Sequence, residues 1–411
     1  MPLDLEGDPA DVGIDQHRLG RITSYFDDFV ESGRVAGWLA TVNRRGQTVW
    51  VGRGGHRDRE RSLAVEDDTI WRLYSMTKPV TAVAALMLYE EGRFDLNDDV
   101  GRWIPELRDA KVYVGGPAQA PQTRPANEPV RVHHLFTHTA GLTYGFQNLT
   151  PVDALYREMG YDETQWRFPE GVDLAGAVHD WCSAPLLFEP GSAWNYSVAS
   201  DVLGRLIEIW SGQRLDEFIA ERILKPLAMT DTHWYCPPEK VERLAMLYLN
   251  FKGQAIALED LAKAATLEPP LLLGGGGLVT TAADYQRFMT MLMRGGEAGG
   301  TPLLTRRSVE MMTRNHLPHG ASLADFAIDS FSETGQAGVG YGLGVSVVTD
   351  HVANKSLVTE GSFAWGGAAS TWFWVDPQEE LSVALYTQLL PSTSYPWRRA
   401  LQQLVYSSLI A

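Results

Sequence analysis

An α+β fold is predicted, with an antiparallel sheet drawn from both ends of the chain, helices flanking it and an α-rich domain inserted between. Three observations lead there. Strand-like runs joined by short turns stand near each end beside an amphipathic helix, the interval from about Asp95 to about Pro270 is mostly of helical period, and 411 residues exceed what one small core requires. The predicted boundaries are 1–94 and 271–411 for the sheet domain and 95–270 for the insertion.

Each element has its own signal. Leu19, Ile22, Phe26 and Val30 recur at three- and four-residue spacing, which marks a helix between Asp15 and Ser32 closed by Gly33. A hairpin follows, Trp38 to Asn43 and Thr48 to Val51, with Gly46 supplying the turn. Thr69 to Tyr74 reads as an extended, buried approach to Pro79–Tyr89, a helix apolar on nearly all sides and therefore buried, ended by Glu90, Glu91 and Gly92. Pro79 disfavours helical angles at Lys78, so an irregular first turn is expected. Further on, helices are predicted over Ala199 to Trp210 and Leu215 to Ile223, with a long proline-rich connection from Gly115 to Pro129. Ser370 to Val375 and Leu381 to Thr387 form a second hairpin around Asp376–Glu380, and Trp397 to Leu409 a last helix. The junction of the two domains is the natural place for a cleft, its pocket shaped by loops such as Pro318 to Gly338.

Composition narrows the partners. The formal charge is 35 − 51 = −16 with no basic run, which argues against nucleic acid or an anionic membrane. Met1 to Asp8 has neither the positive start nor the apolar stretch of a secretion signal, and no apolar run is long enough to span a bilayer, so a cytoplasmic location is expected. Cys182 and Cys236 are far apart and outside metal-ligand spacing; both read as reduced and structural, with no metal or cofactor expected. Gly274–Gly277 lacks the Gly-Lys-Ser/Thr of a phosphate loop, so close backbone packing or a turn beside the cleft is the better reading.

The chemistry begins at Ser75-Met76-Thr77-Lys78, a hydroxyl and an amine that share one face of a helical turn. Alone this is a helix cap with a solvated lysine. Its position ahead of a core helix, where free N–H groups and the helix dipole favour negative charge on nearby oxygens, makes Ser75 a candidate acyl acceptor and Lys78 a candidate base. Tyr196 ends the loop Glu189–Ser197 ahead of a helix and offers a second proton carrier; Trp365-Gly366-Gly367-Ala368 lies just before a strand, where glycines let backbone N–H groups approach a substrate. No Gly-x-Ser-x-Gly elbow is present, so a Ser-His-Asp arrangement lacks support; His138 reads as structural, hydrogen-bonded in its loop, and His133 and His134 as packing or surface residues.

In this order, Ser75/Lys78, Tyr196 and Trp365-Gly366-Gly367 resemble the serine β-lactamase and penicillin-binding-protein superfamily, and within it the class C-like family VIII carboxylesterases. Leu135–Leu142 and Gly274–Asp284 look like further recurrent segments, so the likeness spans nearly the whole chain. It implies a β-lactamase-like fold, Ser75 as nucleophile, Lys78 and Tyr196 as proton relay, and the N–H groups of Ser75 and Ala368 as oxyanion donors. Two departures bear on substrate. Val198 stands where class C β-lactamases carry the asparagine of Tyr-x-Asn, and Trp365 where they carry the lysine of Lys-Thr-Gly. Losing that cation and gaining an indole suits a small neutral ester over a charged β-lactam. Trp365, Gly366, Gly367, Trp194 and Phe363 are the candidate substrate-binding residues. The competing readings are an acyltransferase, a weak β-lactamase, D-peptidase or amide hydrolase, and a silent sensor of acyl ligands or peptidoglycan fragments. Retention of Ser75, Lys78 and Tyr196 together argues against silence.

Overall fold

The computed structural model describes residues 3, 5–162, 167–328 and 336–410. Eight antiparallel strands form its main sheet: β1 (Gly37–Arg44), β2 (Gln47–Asp58), β3 (Leu63–Ala64), β4 (Val339–Tyr341), β5 (Ser346–Val348), β6 (Phe363–Gly366), β7 (Trp372–Asp376) and β8 (Leu381–Tyr386). Their spatial order is β4-β5-β6-β7-β8-β1-β2-β3, so β1 and β8 pair in the middle and the two ends of the chain share one sheet.

Period-two alternation sorts the side chains onto two cores. Trp38, Ala40, Val42, Trp372, Trp374, Val383 and Leu385 face a layer made by α1 (Gln16–Glu31) and the C-terminal helix. Leu39, Phe363, Trp365, Phe373, Val375, Ala384 and Tyr386 face the other way, into the larger core that holds the buried helices and the site. In α1 the buried positions are Leu19, Ile22, Phe26 and Phe29, so Phe29 faces the core and the expected Val30 lies at its margin. The helix from Ala199 runs to Ser211, and the last helix spans Trp397–Tyr406.

α2 (Lys78–Glu90) is buried from Lys78 to Leu88, as its all-round apolar surface requires, and Gly92 beyond it takes φ 71°. The expectation about Pro79 is corrected here. Lys78 is helical, with φ −54° and ψ −45°, because the helix has only begun there and Pro79 occupies an N-terminal position where its missing N–H costs nothing. The irregularity lies upstream, in a 3-10 turn over Tyr74–Thr77.

Two other expectations change. The Gly115–Pro129 connection contains a hairpin strand: Lys111–Gly115 pairs with Gln122–Pro125, whose residues are all exposed and so carry no apolar alternation. The helix predicted over Leu215–Ile223 is α-helical to Ile219 and continues as a π-helix over Ala220–Leu224. A ribbon of Tyr248–Phe251 and Gln254–Ala257 pairs in parallel with Leu389–Leu390 and ties that part of the chain to the C-terminal segment. Both cysteines are free and buried. Among the described residues no helix is long and apolar enough to cross a membrane, and no group of three or more His, Cys, Asp or Glu side chains could hold a metal. Of the loop Pro318 to Gly338, residues 329–335 lie outside the described residues.

Candidate active site

The nucleophile turn is fastened on three sides. Ile70–Arg72 pairs antiparallel with Val279–Thr281, the Leu73 N–H donates to the Leu278 carbonyl (2.9 Å), and the Leu278 N–H donates to Thr77 Oγ1 (3.1 Å). From below, Tyr285 Oη donates to the Met76 carbonyl (2.9 Å). From the sheet, Thr371 Oγ1 donates to the Leu73 carbonyl (3.2 Å), and a Cβ on Gly367 would stand 2.2 Å from that same oxygen. Tyr74, directly before Ser75, sits at φ 48°, a left-handed conformation costly for a side chain of this size and held by these surroundings. Ser75 is partly exposed at the turn; Lys78 is 1% exposed beneath it.

Lys78 Nζ lies 3.3 Å from Ser75 Oγ, 3.1 Å from Tyr144 Oη and 2.7 Å from the Gly275 carbonyl oxygen, and 4.4 Å from the centre of the Tyr196 ring. The glycine cluster is thus a close-packed support for the lysine. A Cβ on Gly274 would meet the Ser200 carbonyl at 2.7 Å, and one on Gly275 would meet Asp201 Oδ2 at 2.8 Å.

Tyr196 is delivered by two loops zipped together. The Gly191 N–H donates to the Thr139 carbonyl, the Asn195 N–H to the His138 carbonyl, Asn195 Nδ2 to the Leu142 carbonyl and Gln147 Nε2 to the Tyr196 carbonyl. Its ring lies in an aromatic nest with Trp194 stacked at 5.9 Å, His138 at 4.9 Å, Tyr144 at 5.4 Å and Trp365 at 5.6 Å. Trp365 Nε1 donates to Tyr196 Oη at 3.3 Å. A donor aimed at a phenol oxygen favours its ionised form, so this indole does more than form an apolar wall. His138, paired through Nδ1 with Ser197 Oγ, is held neutral: burial, and then the Lys78 charge, push it well below the usual histidine range. It is a structural, hydrogen-bonded residue, as expected from the sequence, but its partner is Ser197 of the facing loop and its ring packs on Tyr196.

The remaining sequence-predicted residues divide. Trp365 and Gly366 close β6, and Gly367 and Ala368 lie in the turn that leads into β7, so the motif precedes a strand as expected and also ends one; Ala368 is exposed, and among the described residues its N–H donates to no protein acceptor. Trp194, Phe363 and Trp365 are 1%, 1% and 2% exposed, so the structure packs them into the core around Tyr196 and under the sheet, and none stands open as a pocket lining.

Two residues here were missed. Tyr144 follows the recurrent Leu135–Leu142 segment and differs from other tyrosines of the chain only in its tertiary contacts. Asp201 stands five residues beyond Tyr196, which makes one acid among 51, yet it is 1% exposed and accepts the Gly275 N–H at 2.8 Å. Burial pushes its carboxyl up to about 6, against the opposing pull of Lys78.

The Beta-lactamase family model matches residues 22–406. The chain belongs to the beta-lactamase family. Within the family it is 32% identical to Esterase EstB of Burkholderia gladioli over 416 residues, covering 97% of this chain and 98% of that one. It is 26% identical to Monacolin J acid methylbutanoyltransferase of Aspergillus terreus over 79% of this chain and 78% of that one. Among solved structures it is similar to EstCE1, described as a hydrolase with promiscuous acyltransferase activity, with a TM-score of 0.78, 25% identity and coverage of 96% and 98%. This is an enzyme of the family's serine-hydrolase kind, with an esterase- and acyltransferase-like affiliation.

Proposed function

We propose that the protein is a family VIII-type carboxylesterase that hydrolyses small or short-acyl esters through an acyl-enzyme on Ser75. Ser75 Oγ attacks the ester carbonyl while its proton passes into the Lys78/Tyr196 pair. The tetrahedral oxyanion is held by the N–H groups of Ser75 and Ala368. As it collapses, the ester C–O bond breaks, the relay returns the proton to the leaving alkoxide, and alcohol departs. Water then attacks the acyl-enzyme, gives its proton to the same relay, and the acid is released as Ser75 regains its hydrogen.

The observation that carries this reading is the approach of Lys78 Nζ to Ser75 Oγ, 3.3 Å, with the same nitrogen over the Tyr196 ring. Free lysine and tyrosine lose their protons near pH 10, so a base working at neutral pH needs roughly 4 kcal/mol of help. The Trp365 N–H on Tyr196 acts in that direction, and so does the Lys78 charge beside the Tyr196 ring. The choice of an ester rests on Trp365 and Val198 in place of a lysine and an asparagine, and on the similarity to Esterase EstB.

Acyl transfer to an alcohol is the second reading, favoured by the likeness to EstCE1 and to a methylbutanoyltransferase. Incubation with p-nitrophenyl acetate, butyrate and longer esters, beside nitrocefin, tests the first: short esters are cleaved and Ser75→Ala cleaves none. Equal cleavage by Ser75→Ala, or no cleavage of any ester, rejects it. Product analysis in excess alcohol divides hydrolase from transferase.

A further inference from the structure

We propose that Asp201 is a positioning residue of this site: it fixes the Gly275 peptide and supplies the negative charge that keeps Lys78 an ammonium ion, so that the proton of Ser75 goes to Tyr196. This rests on the esterase reading for its substrate, though not for its test.

The geometry is that of one glycine gripped at both ends. Asp201 Oδ1 accepts the Gly275 N–H at 2.8 Å, and the Gly275 carbonyl accepts from Lys78 Nζ at 2.7 Å. A Cβ at Gly275 would lie 2.8 and 3.1 Å from the two Asp201 oxygens and 3.0 Å from Tyr144 Oη, so carboxylate, phenol and peptide meet with no space between them. Asp201 comes from the first turn of the Ala199–Ser211 helix, Lys78 from α2 packed against it, and Tyr144 from the loop zipped to Tyr196. The titratable groups that converge on Gly275 are therefore Lys78 and Tyr144; His138, which also feels the Lys78 charge, is neutral.

A carboxylate buried to 1% persists only when something opposes its desolvation. Here the Gly275 N–H and the Lys78 charge do so, and the attraction is reciprocal: an ionised Asp201 favours the charged lysine. A charged lysine has no lone pair with which to accept a proton. It can donate to Gly275, Tyr144 and Ser75 together, matching its three hydrogens to three oxygens within 3.3 Å. The acceptor is then a phenol, and of Tyr144 and Tyr196 it is Tyr196 whose oxygen receives the Trp365 N–H, which favours the phenolate, with the ammonium 4.4 Å from its ring centre. Protonation of Asp201 withdraws the counter-charge, and the site then works less well.

The test measures two rates against pH between 5 and 8: hydrolysis of p-nitrophenyl acetate, and stoichiometric labelling of Ser75 by a fluorophosphonate, which needs an activated serine and no ester substrate. Asp201→Asn keeps an oxygen for the Gly275 N–H and removes the charge. The expected result is an acid inflection near pH 6 in wild-type labelling that is absent in Asp201→Asn, and labelling of Asp201→Asn at least tenfold slower at pH 7.5. Asp201→Asn labelling as fast as wild type, or with the same inflection, overturns the proposal, since a purely structural hydrogen bond would survive in asparagine. If Asp201→Asn loses the near-UV circular dichroism of the native fold, the wild-type labelling profile decides alone: an inflection near pH 6 supports the proposal and a flat profile overturns it. Failure to cleave any ester while labelling behaves as expected rejects the esterase reading and leaves Asp201 in its role.

Discussion

Trp365 carries the sharpest contrast between what its residue type implies and what it does. As an indole in place of a lysine it reads as an apolar wall, yet its Nε1 donates to Tyr196 Oη and its ring is buried. Trp365→Phe keeps most of the packing and removes the donor. Tyr196 is then harder to ionise, so kcat/KM falls about tenfold, the worth of one hydrogen bond of this kind. An unchanged kcat/KM measured on p-nitrophenyl acetate would remove this bond from the mechanism. Tyr196→Phe goes further: turnover drops by roughly 100-fold or more with the native fold retained, as expected for loss of a proton carrier. At this scale the convergence of Ser75, Lys78 and Tyr196 was legible because their order and spacing are chemical. Tyr144 and Asp201 were not, because a tyrosine and an acid without a motif acquire their meaning only from where the chain brings them.

At the scale of elements, the site depends on how closely the β6–β7 turn approaches the nucleophile turn. Gly367 has no room for a side chain, since a Cβ would be 2.2 Å from the Leu73 backbone oxygen and 2.3 Å from Thr371 Oγ1. Gly367→Ala must push the two turns apart, which costs roughly 1–3 kcal/mol of stability and at least as much in kcat/KM; urea unfolding and ester kinetics on one preparation check both. Elements with strong periodicity, such as α1, α2 and the two hairpins, were readable from sequence because burial itself writes the pattern. The Lys111–Gly115 and Gln122–Pro125 hairpin was not, since its second strand is wholly exposed and no apolar alternation marks it. The helical Lys78 had a local reason as well: Pro79 discourages helical angles before it in general, but here the preceding 3-10 turn already leads into them.

For the molecule as a whole, four histidines weigh on the response to acid. Burial pushes His133 and His134 down to about 4, His138 well below the usual histidine range and His233 below it, each with a cationic or histidine neighbour adding to the effect. In the unfolded chain they take up protons near pH 6.5, while in the folded chain they do not. The stability they contribute is therefore complete above about pH 6.5 and lost as the pH falls toward 4. Asp201, raised in the folded state, acts with the opposite sign between about 4 and 6, and Asp284, also raised by burial, acts in the same sense as Asp201, two carboxyls against four histidines. The midpoint of thermal unfolding is accordingly expected to fall steadily from pH 7 to pH 4.5, and His133→Gln to flatten that fall. The overall architecture was legible from the chain ends, because a sheet that pairs β1 with β8 needs apolar alternation at both termini. The pairing of Tyr248–Phe251 with Leu389–Leu390 was hidden, since short ribbons held by backbone bonds leave little trace in side-chain pattern.

The central claim is that Ser75 becomes covalently acylated. Rapid acid quenching of the enzyme during turnover of p-nitrophenyl butyrate, followed by peptide mass spectrometry, measures this directly. A single butyryl group on the peptide containing Ser75, absent from Ser75→Ala and longer-lived in Tyr196→Phe, is the expected result. Ester turnover with no acyl group at Ser75, or with the group on another residue, would contradict it.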